Sequence, residues 1–391
     1  MNRLLATPTS DLAVHRQALG DIPWQGPLRL LDAVEAAGLT GRGGAAFPTW
    51  RKMRAVSTSS SITLIGNAAE GEPASAKDRT LLAKVPHLVL DGLQLAAEAV
   101  GAAQVALYLP AAAVSAVQAV LAQRRSWDRY PVRLVPVRPS FVAGQETAAA
   151  SAVAGGRPVP RDGLVRLVER GVLVQNIETL AHLALIARYG PRWFRAVGTS
   201  DEPGTFLATV SGTVRTPGVF EVAHGTSLGD LLDRAGGAPE PLRAVLVGGF
   251  HGAWIPPLAE LPLSRSALRG YDAAPGAGVV VALGESKCGL LAASRIATYL
   301  AGERVGQCGP CDNGLPRIAG TLERLAHRDR DPALPAEVER LAALVTGRGA
   351  CRHPDGTARF ARSTMRFFAD EVDRHLAGRC VQDREFAYER G

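Results

Sequence analysis

The chain has 391 residues, a formal net charge of +7 and 21% charged residues, which is length enough for two or three domains around a substantial core. Its basic residues are scattered, with no run of five and no interleaved aromatics, so composition excludes the electrostatic footprint of a nucleic-acid binder. The longest uncharged run, residues 99–123, is interrupted by Gln104, Pro110, Ser115 and Gln118; it reads as a strand then a helix, and no direct membrane insertion is expected.

In chain order, the opening segment "MNRLLATPTSDLAVHRQ" lacks a long apolar stretch, so no secretory signal is expected and the reading is cytoplasmic. "PLRLLDAVEAAG" predicts an amphipathic helix, and "SITLIGN" (61–67) a strand ending in turn residues. A helical stretch to Gly101 follows, then strand "AQVALYLP", helix "AAAVSAVQAVLAQRR" and strand "YPVRLVPV". This alternation predicts an α/β sheet covered by helices over residues 1–203, with ligands at the loops leaving the strands. Residues 204–258 read as a small β-grasp-like module: two strands around "RTPG", the helix "SLGDLLDRAGG" and the strand "RAVLVGG". Residues 259–391 read as a C-terminal helical bundle, with Val338, Leu341 and Val345 on one stripe and Ala361, Met365, Phe368, Val372 and Leu376 on another.

Lysine and cysteine usage narrows the chemistry. Only Lys52, Lys77, Lys84 and Lys287 are lysines, against a Lys+Arg total of 44. A lysine kept in such a chain points to a compact ammonium where a planar guanidinium would not serve. The five cysteines, Cys288, Cys308, Cys311, Cys351 and Cys380, all lie in the last third. An odd count without an export signal argues against a disulfide framework and for a metal site in the C-terminal region. Cys288 lies on an apolar helix face and reads as a buried structural cysteine, and Cys380 as a free thiol beside a polar tail.

Four loops carry polar groups. "GRGGAAFPTWRK" (41–52) offers close backbone approach at Gly41, Gly43 and Gly44, with Arg42 and Lys52 supplying charge for a phosphate and Phe47 beside them. "GNAAEGEPASAKDR" (66–79) brings Asn67, Glu70 and Glu72 together; by themselves these residues equally describe an acidic solvated turn pairing with Lys77 and Arg79. "VAGQETAAASAVAGG" places Gly144 before a helix start carrying Gln145, Glu146 and Thr147, and "LVQNIETLAH" does the same with Gln175 and Asn176.

Taken in this order, the loops resemble one family, the flavin-carrying, NADH-oxidising (NuoF-like) subunit of NADH:quinone oxidoreductase, respiratory complex I, and its relatives in bidirectional hydrogenases and formate dehydrogenases. The family pattern runs GRGGAGFPTGxKW, NADEGEPGxxKDR, GEETAL and NNVETL, then a "SxSGxVxxPGxxEV" segment matched by "ATVSGTVRTPGVFEV", and last ESCGxCxPCRxG, matched in part by "ERVGQCGPCDNG". The resemblance covers about residues 35–375. It implies an α/β flavin-binding domain of the complex I flavoprotein-subunit type (1–203), an SLBB β-grasp-like domain (204–258) and a helical bundle with an iron–sulfur-type cysteine site (259–391).

The resemblance also implies roles. Gly41, Arg42, Gly43, Gly44 and Lys52 would surround the phosphate and ring of FMN, with Phe47 stacking on the nicotinamide of NADH. Asn67, Gly144, Gln175 and Asn176 would lie on the flavin side, and Glu70, Glu72 and Glu146 on the flavin and NADH side. No side chain is expected to act as a catalytic acid or base, because hydride transfer needs only positioning. Ala69, Gln145 and Gln175 depart from the family's aspartate, glutamate and asparagine, and the stretch 156–171 is unlike the family's lysine- and proline-rich segment.

Cys308, Cys311 and Cys351 match three of the family's four cluster ligands, and Val305 stands at the first. Three readings stay open here. One is an iron–sulfur cluster, either [3Fe–4S] or [4Fe–4S] completed by a non-standard fourth ligand (Cys288, His353, Asp312 or water). The others are zinc on Cys308, Cys311, Cys351 and His353, and no metal at all. The expected activity is NADH oxidation through FMN, with electrons passing to an iron–sulfur centre and then to a ferredoxin-like [2Fe–2S] protein or a quinone-linked acceptor in a membrane-associated complex. Two rivals stand beside it: a non-catalytic scaffold that has lost flavin and cluster, and a flavoenzyme with another donor.

Overall fold

The computed structural model describes residues 2–161 and 166–381. They form two compact units, one of residues 1–209, 219–226 and 276–278, the other of 210–218, 227–275 and 279 onward.

The first unit is built on a parallel sheet ordered β3-β2-β1-β4, with β1 Thr63–Asn67, β2 Gln104–Pro110, β3 Val132–Val137 and β4 Val172–Asn176. The runs "TLIGN" and "QVALYLP" are nearly all buried, as expected of a sheet covered on both faces. Behind it the helix Pro86–Val100 is buried almost all round and crosses the helix Ile177–Arg195. Gly92 permits that crossing, because a Cβ there would lie 1.8 Å from the carbonyl oxygen of Leu180. The expected helices and strands are all present here, and Gly101, in the left-handed region at φ 68°, ends the long helix.

The second unit contains most of a five-stranded sheet ordered β6-β5-β9-β7-β8. Its strands are β5 Thr205–Gly212, β6 Gly218–Ala223, β7 Leu242–Val247, β8 Ala253–Ile255 and β9 Val279–Gly284. The hairpin segment, the helix Leu228–Arg234 and β7 match the reading of the sequence. However, β8 and β9 go beyond it, and β9 falls inside the segment assigned to the helical bundle. It pairs antiparallel with β7, Val247 opposite Val280 and Leu246 opposite Val281. "VVVAL" is a short apolar run that a strand in a sheet interior explains.

The bundle follows with helices Gly289–Gly302, Leu315–Ala326, Leu334–Val345, His353–Phe367 and Ala369–Leu376. Val338, Leu341, Val345, Ala361, Phe368 and Val372 are buried as the stripes require, while Met365 and Leu376 are half-buried. The second stripe spans two helices, since Phe368 leaves helical geometry at φ −101°, ψ 29°. Among the described residues no helix is long and apolar enough to cross a membrane.

Candidate functional site

Parallel pairing sets Asn67, the last residue of β1, opposite Asn176, the last of β4, and Gly66 opposite Gln175. Polar side chains thus gather at the carboxyl ends of two neighbouring parallel strands, where such sheets bind ligands. Asn67 donates to the carbonyl of Gly144 at 2.8 Å and accepts from the amide of Ala69 at 3.1 Å. The loops 67–72 and 140–144 lie backbone to backbone: a Cβ on Gly71 would stand 2.1 Å from the oxygen of Phe141, and one on Gly144 2.6 Å from that of Ala69. This contact brings Glu70, Glu72, Gly144 and the helix start at Glu146 to the end of β1. From the helix Thr49–Val56, Lys52 donates to the carbonyl of Val174 in β4 at 3.0 Å and pairs with Glu146.

The glycine loop passes over the end of β4, with the Cα of Gly43 oriented so that a Cβ would lie 3.5 Å from that of Asn176. Gly44 takes φ +101° and Ala46 φ 48°, and the Gly41 amide donates to the carbonyl of Phe47 at 2.9 Å. The Arg42 amide donates to the hydroxyl of Thr179 at 2.9 Å, while its buried guanidinium donates to the hydroxyl of Thr40 and the carbonyl of Pro203. Arg42 therefore anchors the loop, and Lys52 is the cation on the strand ends. Phe47 is 52% exposed, an unusual setting for a large ring.

A buried charge network beneath the loop was not legible as such. Lys77 is 1% exposed; it donates to Asp78 at 2.8 Å and to the Asn176 carboxamide oxygen at 3.0 Å, and pairs with Glu178 at 3.2 Å. Asn176 in turn donates to Asp78 at 2.9 Å and caps the helix by accepting from the amide of Glu178 at 3.0 Å. Burial alone would lower the pKa of Lys77, but Asp78, Glu178 and Glu70 push it above the usual lysine range. Burial raises the carboxyl of Glu70 to about 7, helped by Asp78 and opposed by Lys77 and the Ser75 hydroxyl at 2.7 Å. The rarity of lysine was the available signal; its partners Asp78 and Glu178 had none.

The three departures have defined settings. Ala69 joins an apolar cluster with Ile65, Tyr108 and Ala143, where an aspartate would be desolvated. Gln145 accepts from the hydroxyl of Thr147. Gln175 is 4% exposed and its Nε2 has no partner among the described residues. A buried amide donor left open beside a ligand site fits an acceptor on a bound polar group. Of the unusual stretch 156–171, residues 162–165 lie outside the described residues.

In the second unit, Cys308 precedes a π-helical turn, Pro310–Gly314, and its carbonyl accepts from the amides of Cys311 and Asp312, each at 3.1 Å. Such wide turns concentrate at functional sites. Gly314 seats this turn against the helix Leu334–Val345, where a Cβ would meet Val345 Cγ1 at 2.2 Å. Burial pushes the thiol of Cys311 up to about 12, with Cys308 and Cys351 as neighbours adding to the rise. The thiols of Cys308 and Cys311 are in hydrogen-bond contact, and Cys351 lies near both.

Two of the fourth-ligand candidates are otherwise engaged. The ring nitrogens of His353 meet the carbonyl of Leu300 at 2.9 Å and His251 at 3.1 Å, and Cys288 is grouped with His375 and Cys380 instead. Asp312 is exposed and 3.8 Å from Arg304. Cys380, read as a thiol near a polar tail, is buried at 7% exposure.

Comparison with known proteins places these features together. Residues 34–185 match the Nuo51 FMN-binding domain, 207–249 the SLBB domain, and 291–375 the NADH-ubiquinone oxidoreductase-F iron-sulfur binding region. The NADH-quinone oxidoreductase F subunit 2 of Rhizobium meliloti (strain 1021) is 30% identical over 389 residues, covering 93% of this chain and 92% of that one. The chain belongs to the family of NADH-quinone oxidoreductase F subunits. Within this family, the F subunit of Aquifex aeolicus (strain VF5) is 30% identical over 332 residues, 79% of this chain and 77% of that one. A chain in the crystal structure of an NAD+-reducing [NiFe]-hydrogenase in the H2-reduced state superposes with TM-score 0.82 at 29% identity over 95% of this chain and 66% of that longer chain. The expected α/β flavin-binding fold and SLBB module are therefore present.

Proposed function

We propose that this chain is the NADH-oxidising flavoprotein component of a multi-subunit electron-transfer complex. The observation that carries this reading is the gathering of Asn67, Gln175 and Asn176 at the carboxyl ends of β1 and β4, with the Lys52 ammonium above them and the Gln175 amide open, in a chain of the NuoF-like family. The chemistry that a bound FMN would supply is acceptance of a hydride from NADH and release of its two electrons singly. Asn67 and Gln175 would hold the ring system, and Lys52 with the Gly41–Gly44 amides the phosphate. Phe47, half out in solvent, would stack on the nicotinamide. Glu70, Glu72 and Glu146 would position the dinucleotide. The Lys77–Asp78–Glu178 network fixes Asn176 and the helix start from beneath.

Cys308, Cys311 and Cys351 would hold an iron–sulfur cluster by three thiolates, with a non-cysteine fourth position or a [3Fe–4S] core. The division 1–203, 204–258 and 259–391 assigns flavin and NADH, the SLBB module and the cluster in turn. A separate ferredoxin-like [2Fe–2S] protein or a quinone-linked acceptor would take the electrons in the cytoplasm, and the formal charge of +7 suits an acidic partner.

Titration of the purified protein with FMN, followed by flavin fluorescence, tests the site. Asn67→Ala and Lys52→Met should each weaken binding by about tenfold or more, which is about 1.4 kcal/mol and of the order of one hydrogen bond to the ligand. A wild-type protein that retains no flavin would contradict the reading and favour the scaffold.

A further inference from the structure

The remaining cysteines point to a second metal site. Cys288, at the N-cap of the helix Gly289–Gly302, lies with its Sγ 3.5 Å from Nε2 of His375. Cys380 completes a group whose donor atoms all lie within 4.8 Å of one another, and all three residues are buried. Neither cysteine is in a disulfide. For zinc, bond lengths of about 2.3 Å to sulfur and 2.0–2.1 Å to nitrogen in a tetrahedron put the two donors about 3.5 Å apart, the separation seen here.

The surroundings prepare these donors for a cation. His375 Nδ1 is 2.9 Å from the carbonyl of Leu325; a carbonyl only accepts, so Nδ1 carries the proton and Nε2 presents its lone pair to Cys288. Glu371, one turn earlier on the same helix, sets Oε2 at 3.5 Å from Cys288 Sγ and accepts from the amide of Gly289 at 2.9 Å, while its Oε1 pairs with Arg243 at 2.6 Å. Gly289 allows the approach: a Cβ there would lie 2.3 Å from the ring of Phe368. Gly378, at φ +78°, turns the chain after the helix toward Cys380.

We propose that Cys288, His375 and Cys380 bind a divalent thiophilic cation, zinc first, with a water in the fourth position. Binding releases the two thiol protons and leaves a neutral Zn(Cys)2(His) core beside the Glu371–Arg243 pair. The site is separate from Cys308, Cys311 and Cys351 and staples the segment after the last helix to the start of the helix Gly289–Gly302.

Cobalt(II) added anaerobically to the reduced full-length protein is the probe, with Cys308→Ser, Cys311→Ser and Cys351→Ser combined to silence the other thiols. This variant should take up about one equivalent with the charge-transfer and visible bands of tetrahedral thiolate-bound cobalt. Zinc should displace the cobalt and raise Tm, and a further Cys380→Ser or Cys288→Ser should abolish both effects. His375→Ala in the otherwise native chain, measured for total zinc against wild type, asks the same question with every thiol in place and should show the loss of about one equivalent. Absence of the cobalt bands from a folded triple variant, their survival of Cys380→Ser, or a Cys288–Cys380 disulfide in the purified protein would each overturn the proposal.

Discussion

Lys77 shows what a single residue contributes where guanidinium is the chain's default cation. Its ammonium reaches Asp78, Glu178 and Asn176 in a space closed to solvent, and removing it leaves two carboxylates without their counter-charge. Lys77→Met should therefore destabilise the protein by about 3–5 kcal/mol, the usual cost of breaking a buried pair on one side, read as a fall in Tm. Glu70 carries a pH dependence. Its folded pKa of about 7 lies above the ordinary 4.5, so the folded chain binds more protons in that window. The associated stability is complete below the lower value and is lost as pH rises through the upper one. Discounted for partial exposure, this amounts to on the order of 1–2 kcal/mol. Glu70→Gln should flatten the dependence of Tm on pH across that range, and an unchanged profile would show that Glu70 titrates elsewhere.

Among the elements, the crossing of Pro86–Val100 over Ile177–Arg195 depends on Gly92. Gly92→Ala pushes a methyl group into the Leu180 carbonyl at 1.8 Å and should cost about 1–3 kcal/mol or more, measured by denaturant unfolding. The helices and parallel strands of the first unit were legible because their periodicities switch cleanly and their ends carry turn residues. β9 was not, because "VVVAL" sits among helical segments and its pairing with β7 is non-local. The glycine loops and strand-end asparagines pointed to a candidate flavin site only through their resemblance, taken together and in order, to the family pattern. By contrast, Lys77 meets Glu178 only through the fold, and Cys288 meets Cys380 only when the last helix returns to the start of Gly289–Gly302. The C-x2-C spacing grouped Cys308 with Cys311 and the family resemblance added Cys351, but neither carried a sign of that second pairing.

At the scale of the whole molecule, an α/β flavin-binding domain, an SLBB domain and an iron–sulfur binding region occur in one chain of the NADH-quinone oxidoreductase family. In the proposed function, the first and the third supply the steps of a path from hydride to single electrons. Val305 is the test of the last step. Val305→Cys restores a fourth thiolate and should raise iron content after reconstitution to about four per chain, with a cluster more resistant to oxidative loss than wild type; equal content and lability would show that the wild-type fourth position is already filled. The central claim, oxidation of NADH through bound FMN, is tested most directly by the anaerobic visible spectrum of the protein reconstituted with FMN, iron and sulfide, recorded before and after NADH. The account predicts a two-band flavin spectrum that bleaches on adding NADH, over a broad brown absorbance that persists. A protein that stays colourless, or a bound flavin that NADH leaves unbleached, would contradict it.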